Sequence, residues 1–221
     1  MNVLVATELE KTYRPVWPGV DPSEVPPIHA VSGVSLSLVA GEITVLAGPS
    51  GSGKTTLVNL LAGFEDPDAG AVHWPRDASR PSWSDLAVVP QALGLLDELT
   101  LAENVRLPLR LRDGRVDAGT RARVEEVLDA LGVGHVGGHQ PGEASLGEQQ
   151  RGAIARALVV EPTVLLLDEP TAHQDAASKK RIVDAVTAAA RSGTAVLAAT
   201  HDPAVLDIAD RRIRMADGRL R

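Results

Sequence analysis

The eight residues GPSGSGKT, Gly48 to Thr55, fit the pattern G-x-x-x-x-G-K-[ST] in full. They lie between EITVLA, a short apolar strand candidate, and KTTLVNLLAG, a helix candidate stopped by Gly63. The glycines permit a loop whose backbone N–H groups turn inward on phosphate oxygens. Lys54 then places a cation on the β and γ phosphates, and Thr55 offers a hydroxyl to Mg²⁺. A merely flexible Gly/Ser loop is the competing reading, and the strand before and the helix after both argue against it. Such a loop demands a strand feeding a helix.

The remaining pattern agrees. Val34, Leu36 and Leu38 alternate with serines, a half-buried strand signature, and RPVWPGVDPSEVPPIH before them reads as an irregular loop. DLAVVPQ is a further buried strand. Thr100 and Glu103 form a capping box that opens LAENVRLPLRL as a helix, which Pro108 is expected to bend or shorten. In RARVEEVLDALG, Val124, Val127, Leu128 and Leu131 share one helical face, and Gly132 stands where a C′ glycine belongs. TVLLLDE ends a continuous apolar run in two carboxylates, as a central parallel strand does. KKRIVDAVTAAARSG predicts a helix ended by Gly193, and TAVLAAT the next strand. Asp202 and Pro203 make an N-cap and N1 pair for AVLDIAD, and Asp217-Gly218 predicts a closing hairpin. Strands alternating with helices give an α/β domain with a parallel sheet, interrupted by a helical stretch from about 100 to 160.

Several side chains fall at the strand ends where ligands bind in open α/β sheets. Asp168 supplies an acidic partner for Mg²⁺, through water, and Glu169 can orient or deprotonate an attacking water. The bland alternative, two ordinary strand-end charges, loses force beside a phosphate loop. His201 follows TAVLAAT at the same rim and is expected to contact a γ-phosphate. Gln91 ends DLAVVPQ and could reach the metal and the water, although a solvated glutamine is the default. A second anion site is suggested at GEASLGEQQRGAIARAL: Ser145 and Glu148 form another capping box, and Gly147 would let a ligand approach the backbone.

Composition removes other classes. Of 221 residues 44% are hydrophobic, enough for a substantial core, yet no apolar run approaches the ~18 residues of a membrane span. The first residues lack the features of a signal peptide, and the absence of cysteine rules out disulfides and thiolate metal sites, which fits a cytosolic location. A net charge of −7 without a basic block, and only 2% aromatics, argue against nucleic-acid binding.

With these residues placed, the chain resembles the nucleotide-binding subunit of an ATP-binding cassette (ABC) transporter over essentially its whole length. The family's features occur in order: an aromatic A-loop at Tyr13, the phosphate loop, the Q-loop glutamine Gln91, the signature ASLGEQQR (144–151), Walker B VLLLDE (164–169), the D-loop TAHQD (171–175) and the switch His201. The resemblance implies a RecA-like P-loop core (about 1–91 and 161–221) bearing a small antiparallel β lobe, and a helical lobe (about 92–160) carrying the signature. It implies ATP and Mg²⁺ as ligands. Tyr13, Gly48, Pro49, Ser50, Gly51, Ser52, Gly53, Lys54, Thr55 and Thr56 would hold the chain's own nucleotide. Ser145, Gly147 and Glu148 would cover a nucleotide held by a second ABC ATPase subunit, identical or different. Thr55, Gln91 and Asp168 would serve the metal, and Glu169, His201, Gln91 and Lys54 the hydrolysis.

The same resemblance implies a separate integral membrane permease as partner and a peripheral position on the cytoplasmic face of the membrane. LTLAENVRLPLRL looks like the corresponding helix of the lipoprotein-release, macrolide-export and cell-division group. A transport-independent regulator of a membrane partner is the alternative function, and a soluble ABC ATPase acting on nucleic acid or ribosomes a more distant one. Two positions depart from the family pattern: Leu146 replaces the first signature glycine, and Gln174 occupies a D-loop position usually held by leucine. Both are expected on surfaces offered to the opposite subunit. Trp17 competes with Tyr13 for the adenine.

Overall fold

The computed structural model describes residues 1–15, 18, 19, 21, 25–75, 81, 82, 84–114 and 117–221. Trp17, the rival to Tyr13, lies outside the described residues.

A six-stranded sheet runs in the order β5-β6-β7-β3-β8-β9. Its strands are β3 (Ile43–Ala47), β5 (Leu86–Val89), β6 (Val164–Asp168), β7 (Ala195–Ala199), β8 (Arg211–Ala216) and β9 (Arg219–Leu220). All neighbours are parallel except the terminal β8–β9 hairpin. β6 and β7 are buried at every position. Their residues divide by parity between two cores: Leu165, Leu167, Val196 and Ala198 join one, and Val164, Leu166, Leu197 and Ala199 the other. Both faces of these strands are covered, so an unbroken apolar run rather than an alternating one encodes them.

One face packs on α1 (Lys54–Ala62), through Leu57, Leu60 and Leu61, and on a three-stranded antiparallel sheet in the order β2-β1-β4. That sheet comprises β1 (Asn2–Tyr13), β2 (Ile28–Val39) and β4 (Ala69–His73). β4, mostly exposed AGAVH, carries no strand signal of its own and exists through pairing with β1. β2 starts directly after the prolines, so Ile28 and His29, read as loop, are strand residues.

The other face packs on α5 (Ala176–Arg191) and on α4 (Leu146–Leu158). α4 in turn packs on α2 (Leu101–Asp113), which packs on α3 (Ala118–Ala130). Pro108 is buried within α2, which nonetheless continues to Asp113. Burial of Leu101, Val105 and Leu109 in the same core outweighs the one hydrogen bond the proline removes. The run after Asp202 makes only a four-residue α6 (Pro203–Leu206), shorter than its apolar pattern suggests.

The parallel strands bring one set of ends together. Leu46 pairs with Ala199, Ala199 with Asp168, and Leu167 with Val89. The segments leaving β3, β5, β6 and β7 therefore share a rim.

Candidate functional site

Helix ends leave N–H groups unpaired, and the sequence usually supplies a side chain to meet them. The helices α2 to α6 begin at Thr100, Asp117, Ser145, Asp175 and Asp202, each accepting a hydrogen bond from the first turn. α1 is different: its N-cap is Gly53, which has no side chain, and no acidic residue stands in its first turn. The first closing bond is Leu57 N–H to the Gly53 carbonyl at 2.9 Å, so the earlier N–H groups stay open. Gly53 has φ 102 and a Cβ there would lie 2.0 Å from the Ala30 carbonyl oxygen, which excludes any other residue. An open helix start beside a lysine is a place for an anion.

The Lys54 ammonium donates to the carbonyls of Gly48 at 2.9 Å and Pro49 at 3.1 Å, spanning the loop. The loop is braced by the terminal hairpin: Gly218 N–H donates to the Ser52 carbonyl at 3.1 Å, and Ser32 N–H to the Gly218 carbonyl at 2.9 Å. Ser52 is buried with a hydroxyl that has no hydrogen-bond partner. A cleft of about 480 Å³ opens here, lined by Ser50, Gly51, Gly53, Lys54, Thr55 and Thr56 of the loop, by Tyr13, and by Gln91, Asp168 and Glu169. Ile28, His29, Ala30, Asp217 and Gly218 complete the wall.

Asp168 is 3% exposed and accepts from the Thr55 hydroxyl at 2.7 Å. Burial, the largest influence, raises its carboxyl above the usual carboxylate range, and neighbouring Glu169 adds to this against Thr55 and Lys54. A hydroxyl and a buried carboxylate, both oxygen donors, suit Mg²⁺, which takes few protein ligands and keeps room for phosphate oxygens and water. Among the described residues no group of three His, Cys, Asp or Glu could hold a metal by itself, so the donor set fits a cation shared with a ligand.

Glu169 is half-buried with its backbone at φ 47, a strained conformation for a side-chain-bearing residue. Three bonds hold it there: its N–H donates to the Ala199 carbonyl at 2.8 Å, and its carbonyl accepts from Gln150 Nε2 at 2.7 Å and from Ala172 N–H at 3.2 Å. The carboxylate accepts from the Thr200 hydroxyl at 2.8 Å and lies 3.1 Å from His201 Nδ1. His201 is exposed and lines, with Glu169 and Lys54, a second cleft against Gly48, Pro49 and Ser50. Gln91 stands exposed beyond the end of β5.

Tyr13 ends β1, and its hydroxyl donates to Glu65 at 2.6 Å. Burial and that carboxylate raise its phenol above the ordinary value, so it stays neutral. The Lys11 ammonium lies 5.9 Å from the ring centroid.

Ser145, Gly147 and Glu148 are not at this cleft. They start α4, where Ser145 N–H donates to Glu148 Oε2 at 2.8 Å, Ser145 Oγ donates to it at 2.6 Å, and Glu148 N–H returns to Ser145 Oγ at 3.3 Å. These bonds, with His135 3.1 Å from Glu148, hold the Glu148 carboxyl below the usual range. Leu146 is the first helical residue, outside the left-handed region, and 51% exposed. Gly147 also permits a close approach from within the chain. A Cβ there would meet the His173 carbonyl oxygen at 3.2 Å and the Gln174 side chain at 3.4 Å, so the glycine admits the chain's own 171–175 loop. Gln174 is likewise turned inward, its Nε2 donating to the Gly147 carbonyl at 3.0 Å.

Sequence reasoning missed Thr200, Gln150 and Glu65, and, although it placed a hairpin at Asp217-Gly218, missed that its tip braces the phosphate loop. Thr200 sits beside His201 in the sequence and was open to the same strand-end argument. The others reach the site only through tertiary contact.

Residues 31–172 match the family described as ABC transporter. The chain is 35% identical to the lipoprotein-releasing system ATP-binding protein LolD 1 of Rhodopirellula baltica, over 99% of this chain and 96% of that protein. It is 37% identical to the macrolide export ATP-binding/permease protein MacB of Marinobacter nauticus, over 87% of this chain and 31% of that much longer protein. Among solved structures it is similar to a dimeric post-hydrolysis state of the ATP-binding cassette MJ0796 bound to ADP and Pi. The TM-score is 0.87 at 29% identity, covering 98% of this chain and 96% of the other.

Proposed function

This chain belongs to the ABC transporter family, and we propose that it closes on Mg-ATP with a second ATPase subunit to drive a separate membrane permease. It has the ABC ATPase fold and is an ATP-binding, ATP-hydrolysing subunit. The observation that carries the mechanism is the uncapped start of α1 beside a 2.7 Å Thr55–Asp168 pair and Glu169.

In this reading the open N–H groups of Gly51 and of Gly53 to Thr56 and the Lys54 ammonium bind the β and γ phosphates, Lys54 exchanging the Gly48 and Pro49 carbonyls for phosphate oxygens. Thr55, Asp168 through water, and Gln91 hold Mg²⁺, which when bound neutralises phosphate charge. Glu169 takes a proton from water as the water oxygen attacks the γ-phosphorus and the bond to the ADP oxygen breaks. Thr200 and His201 orient that carboxylate, and His201 meets the γ-phosphate. Tyr13 packs on the adenine.

The lobe over about 92–160 carries Ser145, Gly147 and Glu148 to the nucleotide of the second subunit. Relatives whose names join an ATP-binding protein to lipoprotein release or macrolide export, and dimeric cassette structures, support this assembly. Among the described residues no helix is long and apolar enough to cross a membrane. A position on the cytoplasmic face of the membrane, held there by the permease, follows from the proposal.

Glu169→Gln tests it. At saturating Mg-ATP the variant retains unhydrolysed ATP, turns over at least ~100-fold more slowly, and sediments as a dimer, while the wild type returns to monomer with ADP. A variant that stays monomeric with its membrane partner present overturns the reading.

A further inference from the structure

Gln174 lies between two parts of the molecule that serve different nucleotides, and its hydrogen bonds run in one direction. Arg151 Nη1 donates to Gln174 Oε1 at 2.6 Å. Gln174 Nε2 donates to Gln150 Oε1 at 3.2 Å, and Gln150 Nε2 donates to the Glu169 carbonyl at 2.7 Å. The other hydrogen of Gln174 Nε2 goes to the Gly147 carbonyl at 3.0 Å, in the first turn of α4. Both N–H groups and the oxygen of this amide are therefore used, and its orientation is dictated by a guanidinium on one side and two carbonyl oxygens on the other. Aligned hydrogen bonds of this kind polarise and strengthen one another.

Burial makes the chain rigid. Gln150 is 5% exposed, so its amide has no water to fall back on if Gln174 is lost. Arg151 is further fixed by Ser178 at 3.1 Å, which ties it to the start of α5. At the far end stands Glu169, whose backbone is held at φ 47 partly by the Gln150 bond. A left-handed glutamate relaxes if that restraint goes, and its carboxylate moves with it.

We propose that Gln174 is a positioning residue that ties the first turn of α4 to Glu169 through Gln150, so that closure over one nucleotide sets the carboxylate acting on the other. This rests on the reading above that the start of α4 covers the partner's triphosphate. Gln174 touches no nucleotide itself. It acts through the backbone of Glu169, so substrate affinity is spared and the chemical step is not.

The test uses Gln174→Ala, which removes all three bonds of the amide, and Gln174→Glu. The glutamate keeps the size and the Arg151 contact, but cannot donate to the Gly147 carbonyl or to Gln150. Both variants are expected to lose kcat by roughly 5- to 20-fold with KM for ATP within about twofold, because the carboxylate is displaced while the phosphate loop is untouched. Combined with Glu169→Gln, either variant still dimerises on Mg-ATP at the concentration the single variant needs. Wild-type kcat in Gln174→Glu overturns the proposal, since donation to the two carbonyl oxygens would then be dispensable. A fall in melting temperature with kcat preserved also overturns it, as does loss of dimerisation in the double variant. Failure of Glu169→Gln alone to dimerise strikes the underlying reading instead, and is seen without any change at Gln174.

Discussion

Asp168 is the residue with most at stake before any ligand arrives. It is 3% exposed, and burial raises its carboxyl above the ordinary value of 3.8. Its raised folded value means that the folded chain holds the proton more tightly than the unfolded one. Stability is therefore fully present below 3.8 and is lost as pH rises through the folded value. Asp168→Asn removes the charge but still accepts from the Thr55 hydroxyl. Without nucleotide it should melt higher than wild type at neutral pH, by about 1 kcal/mol or ~2–4 °C, with the gap closing in acid. With Mg-ATP the order reverses, because the wild type gains binding energy in the folded state and the variant gains little. Thermal melts across pH, with and without Mg-ATP, measure both arms. Equal melting temperatures at neutral pH would show that the carboxylate is not penalised by its burial.

The contrast between capped and uncapped helices carries the function up to the level of elements. α4 starts with its own carboxylate, Glu148, on the Ser145 donors, while α1 is left open for a ligand. Leu146, 51% exposed at the first position of α4, stands on the face proposed to meet the partner's triphosphate. Leu146→Gly removes that bulk at a helix-propensity cost of less than about 1 kcal/mol, and should raise the ATPase rate of the isolated protein about 2- to 5-fold. No change, or a fall, in steady-state phosphate release would show that the leucine does not hinder closure. These starts were legible in the sequence because a capping box is written within four residues, and the phosphate loop and the apolar run ending in Asp168 and Glu169 are likewise short and contiguous. β4 was not legible, since AGAVH becomes a strand only through β1. Nor was the persistence of α2 past Pro108, which depends on packing. Gln174 was placed on the 171–175 loop correctly, but the direction of its side chain is set by Gly147, Gln150 and Arg151, 23 to 27 positions away. Sequence spacing does not report such contacts.

For the whole molecule, charge decides how two copies meet. The chain carries 22 basic and 29 acidic side chains, net −7, so two identical subunits repel at long range. A chain of this size gives centres about 40 Å apart in a dimer. Two charges of −7 at that distance repel by roughly 5 kcal/mol in unscreened water. Screening leaves about 1 kcal/mol at 0.01 M salt and almost nothing at 0.15 M. Locally the sign is opposite. Arg212, Arg214 and Arg221 line the cleft beside Gly48 to Ser50, although Arg212 already lies 4.0 Å from Asp207 and Arg221 3.4 Å from Asp217. Such contacts are short-ranged and exposed, and surface pairs contribute between about 0 and 1 kcal/mol each. With Arg212 and Arg221 paired within the chain, net repulsion should set the salt slope of a dimer of identical subunits. Glu169→Gln with saturating Mg-ATP is expected to dimerise about fivefold more readily at 0.15 M than at 0.01 M salt, read as the protein concentration at half-dimer in sedimentation. A dimer that loosens as salt rises would place the arginine cleft ahead of net charge. Subunits unlike in charge, when mixed, should show that opposite slope, so the sign of the salt dependence separates self-pairing from pairing with a different ATPase chain.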